Sequence, residues 1–216
     1  MSARPEVAWE ETTTGNRVAE LLESFGIETA RIAGTGVIGM LYGSKPGKTV
    51  ALRADMDALA ITEATDVPYK SENAGVMHAC GHDGHTAMLL GAAKILSQLK
   101  LEISGNVKFI FQPAEENGQG ALKLLEAGVM DEVDAILGLH LWPDLPSGKV
   151  SLVPGPRMAS ADKLKITVRG KSSHGSMPHQ GIDAILAASA IIMNLQSVSS
   201  REVAPLEPAV ITIGKL

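Results

Sequence analysis

The sequence predicts an α/β fold over residues 1–158, a largely parallel sheet layered with helices, and the start of an α+β domain over 159–216. Three observations carry this. Apolar runs of the kind buried on both faces of a sheet, T-V-A-L-R at 49–53 and N-V-K-F-I-F at 106–111, alternate with helical patterns. After His140 the stretch L-W-P-D-L-P-S-G-K-V-S-L-V-P-G-P is rich in Pro and Gly and reads as a connecting strand and hinge. Beyond it, D-K-L-K-I-T-V at 162–168 alternates polar and apolar with period two, as a sheet with one wet face does.

In chain order, Val18, Leu21, Leu22 and Phe25 fall at helical spacing between Glu11 and Phe25, and Gly26 supplies a stop. Thr29–Ile32 and Val37–Tyr42 read as strands around a Gly-rich turn, and G-S-K-P-G at 43–47 reads as closing a hairpin. The strand at 49–53 runs into Asp55 and Asp57. Thr86–Leu99 is an Ala- and Leu-rich helix, and the strand at 106–111 runs into Glu115-Glu116. A helical stretch at 121–126 ends at Gly128, and the apolar strand 135–139 delivers His140. A helix at 182–196 and a strand at 209–213 complete the series. In a parallel sheet ligands gather beyond the carboxyl ends of the strands, where Asp55, Asp57, Glu115, Glu116 and His140 all fall.

Composition narrows the function classes. With 45% apolar and 20% charged residues among 216, the chain has the make-up of a globular protein with a sizeable core. A net charge of -5 argues against a nucleic-acid or anionic-membrane partner, because binding polyphosphate needs clustered Lys and Arg. The longest apolar run, 184–193, is too short to span a bilayer. One cysteine cannot make an internal disulfide, and a reducing cytoplasm is the expected compartment.

That cysteine lies in G-V-M-H-A-C-G-H-D-G-H-T, residues 75–86, with three of the six histidines. Each residue alone has an ordinary explanation, since a free thiol packs as a small hydrophobe and a Glu-Glu pair is commonly a solvated turn. Their conjunction is informative. Cys80-x-His82, Glu115-Glu116 and His140 bring S, N and O donors to one predicted edge. A thiolate selects a borderline or soft ion such as Zn, and carboxylates suit a pair of ions. Adjacent glutamates allow one to bind metal while its neighbour takes a proton from an activated water. A cysteine hydrolase with Cys80 as nucleophile and His82 or His85 as base is the competing class, but residues so close in sequence rarely set base and nucleophile in line.

The motifs L-R-A-D-M-D-A-L (52–59), M-H-A-C-G-H-D-G-H-T (77–86), F-Q-P-A-E-E (111–116), G-L-H (138–140) and S-H-G-S-M-P-H (173–179) occur in this order. Together they resemble the M20 metallopeptidase superfamily, in its amidohydrolase branch of hippurate, N-acyl-amino-acid and auxin-conjugate hydrolases. The resemblance implies a dinuclear-metal-hydrolase-type mixed sheet flanked by helices, followed by the start of a ferredoxin-like α+β lid. It implies two divalent metal ions, Zn or Mn with Co or Ni also suited, with Cys80 as bridging ligand and His82, Glu116 and His140 as terminal ligands. Glu115 would be the general base, Asp57 the acid that orients a ligand, and His174 the lid histidine at the oxyanion. His78, His85 and His179 have no ligand role on this reading. The implied substrate is a small N-acyl amino acid, and the implied assembly is a homodimer through the lid.

Members of that family are longer and supply a last ligand histidine near the C-terminus, so the resemblance also implies a chain truncated at both ends. The alternatives are a dipeptidase or aminoacylase of the same superfamily, whose members normally place Asp where Cys80 stands, and an inactive remnant or binding module.

Overall fold

The computed structural model describes residues 1–156 and 158–216. The chain divides into two compact units, Met1–Ser151 and Leu152–Leu216.

The first unit is built on a five-stranded mixed sheet. Its elements are α1 (Thr12–Ser24), β1 (Glu28–Ile32), β2 (Gly36–Tyr42), β3 (Lys45–Asp55), α2 (His82–Gln98), β4 (Ser104–Gln112), α3 (Gly120–Glu126) and β5 (Ala135–Gly138). The strand order is β1-β2-β4-β3-β5. β1 with β2 and β2 with β4 are antiparallel, whereas β3 runs parallel to both β4 and β5. The largely parallel sheet read from the sequence is therefore half antiparallel, in line with the mixed sheet that the family resemblance implies.

Alternate residues of the central strands feed two cores, which is why their sequences are apolar throughout. Phe109, Phe111, Ala54 and Val37 pack with Val18 and Leu22 of α1 and Leu89, Leu90 and Ala93 of α2. Ile110 and Ala51, pointing to the opposite face, pack with Leu124 of α3 and Val129. Helices on both faces leave the strand ends as the free edge of the layer.

Two expectations need correction. The 43–47 turn closes no hairpin, because β4 lies between β2 and β3: Gly43 N–H donates to Gly105 O (2.9 Å) and Ser44 N–H to Ile103 O (3.1 Å). The hairpin is the one between β1 and β2, where Ala33 and Gly34 both take positive φ (47° and 82°). The second helix starts at His82 rather than Thr86, so two of the clustered histidines belong to its first turn.

The second unit holds a short 3-10 turn (Pro178–Gln180) and α4 (Ala184–Ser197), which passes into a π-helical turn, Val198–Glu202. Asp183 caps α4, its carboxylate accepting from the N–H groups of Ile185 and Leu186, both at 2.9 Å. The strands expected at 162–168 and 209–213 form no ladder. A strand satisfies its N–H and C=O groups only through a neighbour, and among the described residues the one β-bridge here joins Lys171 to Ile182. No described helix is long and apolar enough to cross a membrane.

Candidate metal centre

The parallel register sets Asp55 opposite Gln112 and Arg53 opposite Gly138, so β3, β4 and β5 all end at one edge. Each then releases chemistry: Asp55 and Asp57 after β3, Glu115 and Glu116 after β4, His140 after β5. The N-terminus of α2 closes over the same edge. Gly81 takes φ 83° at its N-cap, a left-handed conformation that disfavours any side chain. The turn places Cys80 just ahead of the helix, and His82 and His85 in its first turn are buried at 0% and 2% exposure.

Six of the seven singled-out residues converge here. Cys80 Sγ stands 3.5 Å from His140 Nε2. His82 Nε2 lies 3.7 Å from Glu116 Oε1 and 3.9 Å from Glu115 Oε2, and its Nδ1 lies 3.4 Å from Asp57 Oδ1. His174, the seventh, belongs to the second unit, where its Nδ1 accepts the Ser176 N–H (3.2 Å) and lies 2.8 Å from the Ser176 hydroxyl.

Among the described residues, three groups of side chains bring potential ligand atoms within 4.8 Å of one another: Cys80, His82, His140; His82, Glu115, Glu116; and Asp55, His82, His85. Hydrogen bonding separates them. In the third, Asp55 Oδ1 holds His85 Nδ1 at 2.6 Å, Asp55 Oδ2 holds Arg53 at 2.7 Å, and His85 Nε2 accepts the Leu141 N–H at 2.8 Å. Those lone pairs are spent inside the protein. In the first two groups they are not: both His82 ring nitrogens and Glu116 Oε1 are buried without a hydrogen-bond partner among the described residues. His140 Nδ1 lies 2.6 Å from Leu141 O, an acceptor only, so Nδ1 carries the proton and Nε2 presents its lone pair toward Cys80. Orphaned imidazole and carboxylate atoms beside a thiol are a donor set that fits divalent cations of the zinc type.

The electrostatics agree with that fit. Burial pushes the Asp57 carboxyl up, but His82 and the N–H groups of Glu116 and Glu115 hold it below the usual carboxylate range. Burial disfavours a charged His82, yet Asp57, Asp55 and Glu116 outweigh it and raise the imidazole. Burial, and then the charges of Glu116, Glu115 and Asp55, push the Cys80 thiol up to about 11. Glu116 is raised by burial and by Glu115, with His82 opposing. Without a cation, burial and the negative charge of the edge thus favour the protonated thiol.

The glutamate loop is held from behind. Asp57 Oδ1 and Oδ2 accept the N–H groups of Glu115 and Glu116, each at 3.0 Å, and Glu11 Oε1 accepts the Ala114 N–H at 2.8 Å. The sequence offers Asp55 only as one of two carboxylates after a strand and gives His85 no ligand role. The structure gives His85 its partners. The D-x-D spacing was the available signal for Asp55; Glu11 has none, because its partner lies 103 residues away.

Comparison with known proteins extends the picture over the chain. Residues 51–212 match the family model described as Peptidase family M20/M25/M40. An N-acyl-L-amino acid amidohydrolase of Geobacillus stearothermophilus is 51% identical over 99% of this chain and 58% of its own length. An N-acetyl-L-cysteine deacetylase of Bacillus subtilis is 46% identical over 98% and 51%. The chain therefore spans about half the length of the curated relatives it matches. Among solved structures, the Bacillus subtilis YXEP protein, a dinuclear metal binding peptidase from the M20 family, superposes with TM-score 0.66 at 47% identity, over 68% of this chain and 42% of that one. A family model covering most of the chain, on a sheet whose strand ends gather this donor set, establishes that the chain belongs to peptidase family M20/M25/M40.

Proposed function

We propose that the protein acts as a metal-dependent amidohydrolase that cleaves the amide between an acyl group and an amino acid. The observation that carries this is the convergence of Cys80, His82, His140, Glu115 and Glu116, with unpaired buried ligand atoms, at one strand edge. The amidohydrolase and deacetylase names of the two relatives support the substrate class. The YXEP protein's two-metal character supports a pair of ions. In this proposal Cys80, His82, Glu116 and His140 would hold a pair of divalent ions, Zn or Mn with Co or Ni also suited.

Bound ions would polarise the amide carbonyl and acidify a water at neutral pH. The division of labour between the glutamates follows from their exposure. Glu116, with a 20% exposed side chain and an orphaned Oε1, is the ligand; Glu115, at 41%, faces outward and takes the proton of the attacking water, then delivers it to the leaving amine. Asp57, behind His82 Nδ1, orients the ring so that Nε2 faces the other donors. His174 acts from the lid, steadying negative charge on the carbonyl oxygen. Catalytic residues 1–158, a lid and homodimer contact over 159–216 and a cytoplasmic setting belong to the same proposal.

The test is release of free amino acid from N-acyl amino acids by the metal-loaded chain, with and without chelator. Turnover that survives complete metal removal would refute the proposal. Glu115→Gln should keep its metal and lose turnover; metal loss instead would exchange the roles of the two glutamates.

A further inference from the structure

Glu11 occupies the N-cap position of α1, where an acidic side chain ordinarily accepts from the first-turn N–H groups, yet its side chain caps nothing in its own helix. That task falls to Glu6, whose carboxylate oxygens accept the N–H groups of Thr13 (3.0 Å) and Thr14 (2.8 Å). Released from capping, the Glu11 carboxyl turns inward and is 0% exposed. Its Oε1 accepts the Ala114 N–H at 2.8 Å, and its Oε2 takes the Thr35 hydroxyl at 2.6 Å. A carboxyl removed from water is costly unless its oxygens are satisfied, and here one oxygen is committed to the residue before Glu115.

Ala114 needs such a hold. Its φ is 49°, a left-handed conformation that an alanine adopts at a cost of order 1 kcal/mol, sustained only by its surroundings. With Asp57 accepting the next two N–H groups, the consecutive amides of residues 114–116 are each bound by a buried carboxylate oxygen. Ala114 O in turn accepts the Gly120 N–H at 3.0 Å, and Glu115 O accepts that of Gly118 at 2.8 Å. Of these contacts, the one to Glu11 sets the chain direction on entry to the glutamate pair.

We propose that Glu11 is a positioning residue for the metal-centre loop, fixing Ala114 so that Glu115 and Glu116 present their carboxylates to His82 and Cys80. This rests on the metal-centre reading above. It places part of the site's support in a helix that precedes the family-matched residues 51–212. Gln can replace Glu in this role, since its amide oxygen can accept from Ala114 while its NH₂ donates to the Thr35 hydroxyl.

The experiment measures Co(II) binding to the metal-free chain by titration calorimetry and by the thiolate-to-Co(II) absorption band, alongside a thermal melt of each metal-free protein. Glu11→Ala should weaken Co(II) affinity by about 10-fold or more, as loss of an outer support does. Glu11→Gln should stay close to wild type. Val18→Ala, a core truncation in the same helix, should lower the melting temperature without weakening binding. Where Glu11→Ala does not fold, Glu11→Met, which keeps the volume and removes both acceptors, takes its place. Amide hydrogen exchange of the metal-free wild type reads the contact directly, and Ala114 should be protected.

Wild-type affinity in the folded Glu11→Ala or Glu11→Met protein, equal weakening by Val18→Ala, or exchange of Ala114 at free-loop rates would each overturn the positioning role alone. A wild-type chain that takes up no Co(II) would instead overturn the metal-centre reading, and this role with it.

Discussion

Asp55 Oδ1 and His85 Nδ1 meet at 2.6 Å in the interior, with both side chains 1% exposed. The tautomer follows from the other ring nitrogen: Nε2 accepts the Leu141 N–H at 2.8 Å, so Nδ1 must be the donor to Asp55. The pair thereby anchors the backbone immediately after His140. Rings His85 and His140 stand with centroids 4.5 Å apart.

Removing one partner of this pair should be costly. Asp55→Ala leaves His85 Nδ1 without an acceptor in a dry site and strips Arg53 of one of its two, the Gln112 side chain remaining, and a loss of about 3–5 kcal/mol is expected from urea unfolding of the metal-free chain. His85→Phe should destabilise less but free the Leu141 N–H, and should weaken Co(II) binding through His140. Unchanged affinity in a folded His85→Phe protein would count against the anchoring role.

Glu6 links α1 to pH. Burial pushes its carboxyl up, but the N–H groups of Thr14 and Thr13 outweigh this and hold it below the ordinary glutamate value of 4.5. A depressed carboxyl contributes stability that is fully present above its unfolded value and is lost as pH falls through the folded one. Glu6→Gln should therefore lower stability by about 1 kcal/mol at neutral pH. It should also flatten the acid limb of the melting-temperature profile below pH about 4.5.

Cys80 should be a poor nucleophile in the metal-free protein. With its thiol at about 11 rather than 9.0, alkylation of the metal-free protein at pH 7 should run about 10-fold slower than at an unperturbed thiol, the smaller thiolate fraction being partly offset by higher nucleophilicity, with a rate still climbing at pH 10. Adding Co(II) should release protons, measurable with a pH indicator, and Cys80→Ser should reduce that release without abolishing it, since the raised His82 imidazole also gives up its proton to ligate.

Gly120 reverses the usual rule for helices. Replacing a helical glycine by alanine ordinarily stabilises by up to about 1 kcal/mol. A Cβ at Gly120, however, would stand 1.7 Å from Pro113 O and 3.0 Å from Ala114 O. Gly120→Ala should thus destabilise the chain and displace the glutamate loop, seen as a lowered melting temperature together with weakened Co(II) uptake. Gly91→Ala, on α2 with nothing within 4 Å, is the control in which the ordinary rule should hold.

The sheet interior and the cluster of candidate donors at one strand edge were legible in the sequence because their signals are local. N-V-K-F-I-F is apolar on both faces, and Cys80-x-His82 and Glu115-Glu116 declare donor chemistry within a few residues. The start of α2 was hidden by Gly81 and Gly84, which read as a loop although Gly84 sits within the first helical turn. The pairing of β4 between β2 and β3 was invisible for a different reason. A turn sequence reports that the chain reverses, not which strand fills the gap beside it. The strand pattern at 162–168 is real as alternation, but alternation cannot supply the neighbour that makes a ladder.

The insertion of β4 between β2 and β3 has a consequence for the order in which this molecule can be made. β2 and β3 leave the ribosome first and cannot pair with each other in the native arrangement, so each waits with an open edge until residues 104–112 arrive. Because Asp57 and the glutamate loop flank that closure, the donors cannot converge before it. We expect cation capture to be a late event in folding: in stopped-flow refolding, Co(II) absorption should follow amide protection of Phe109 and Phe111, and absorption that precedes it would exclude this order. Until then the waiting edges are the chain's period of exposure to aggregation, and early metal supply cannot shorten it.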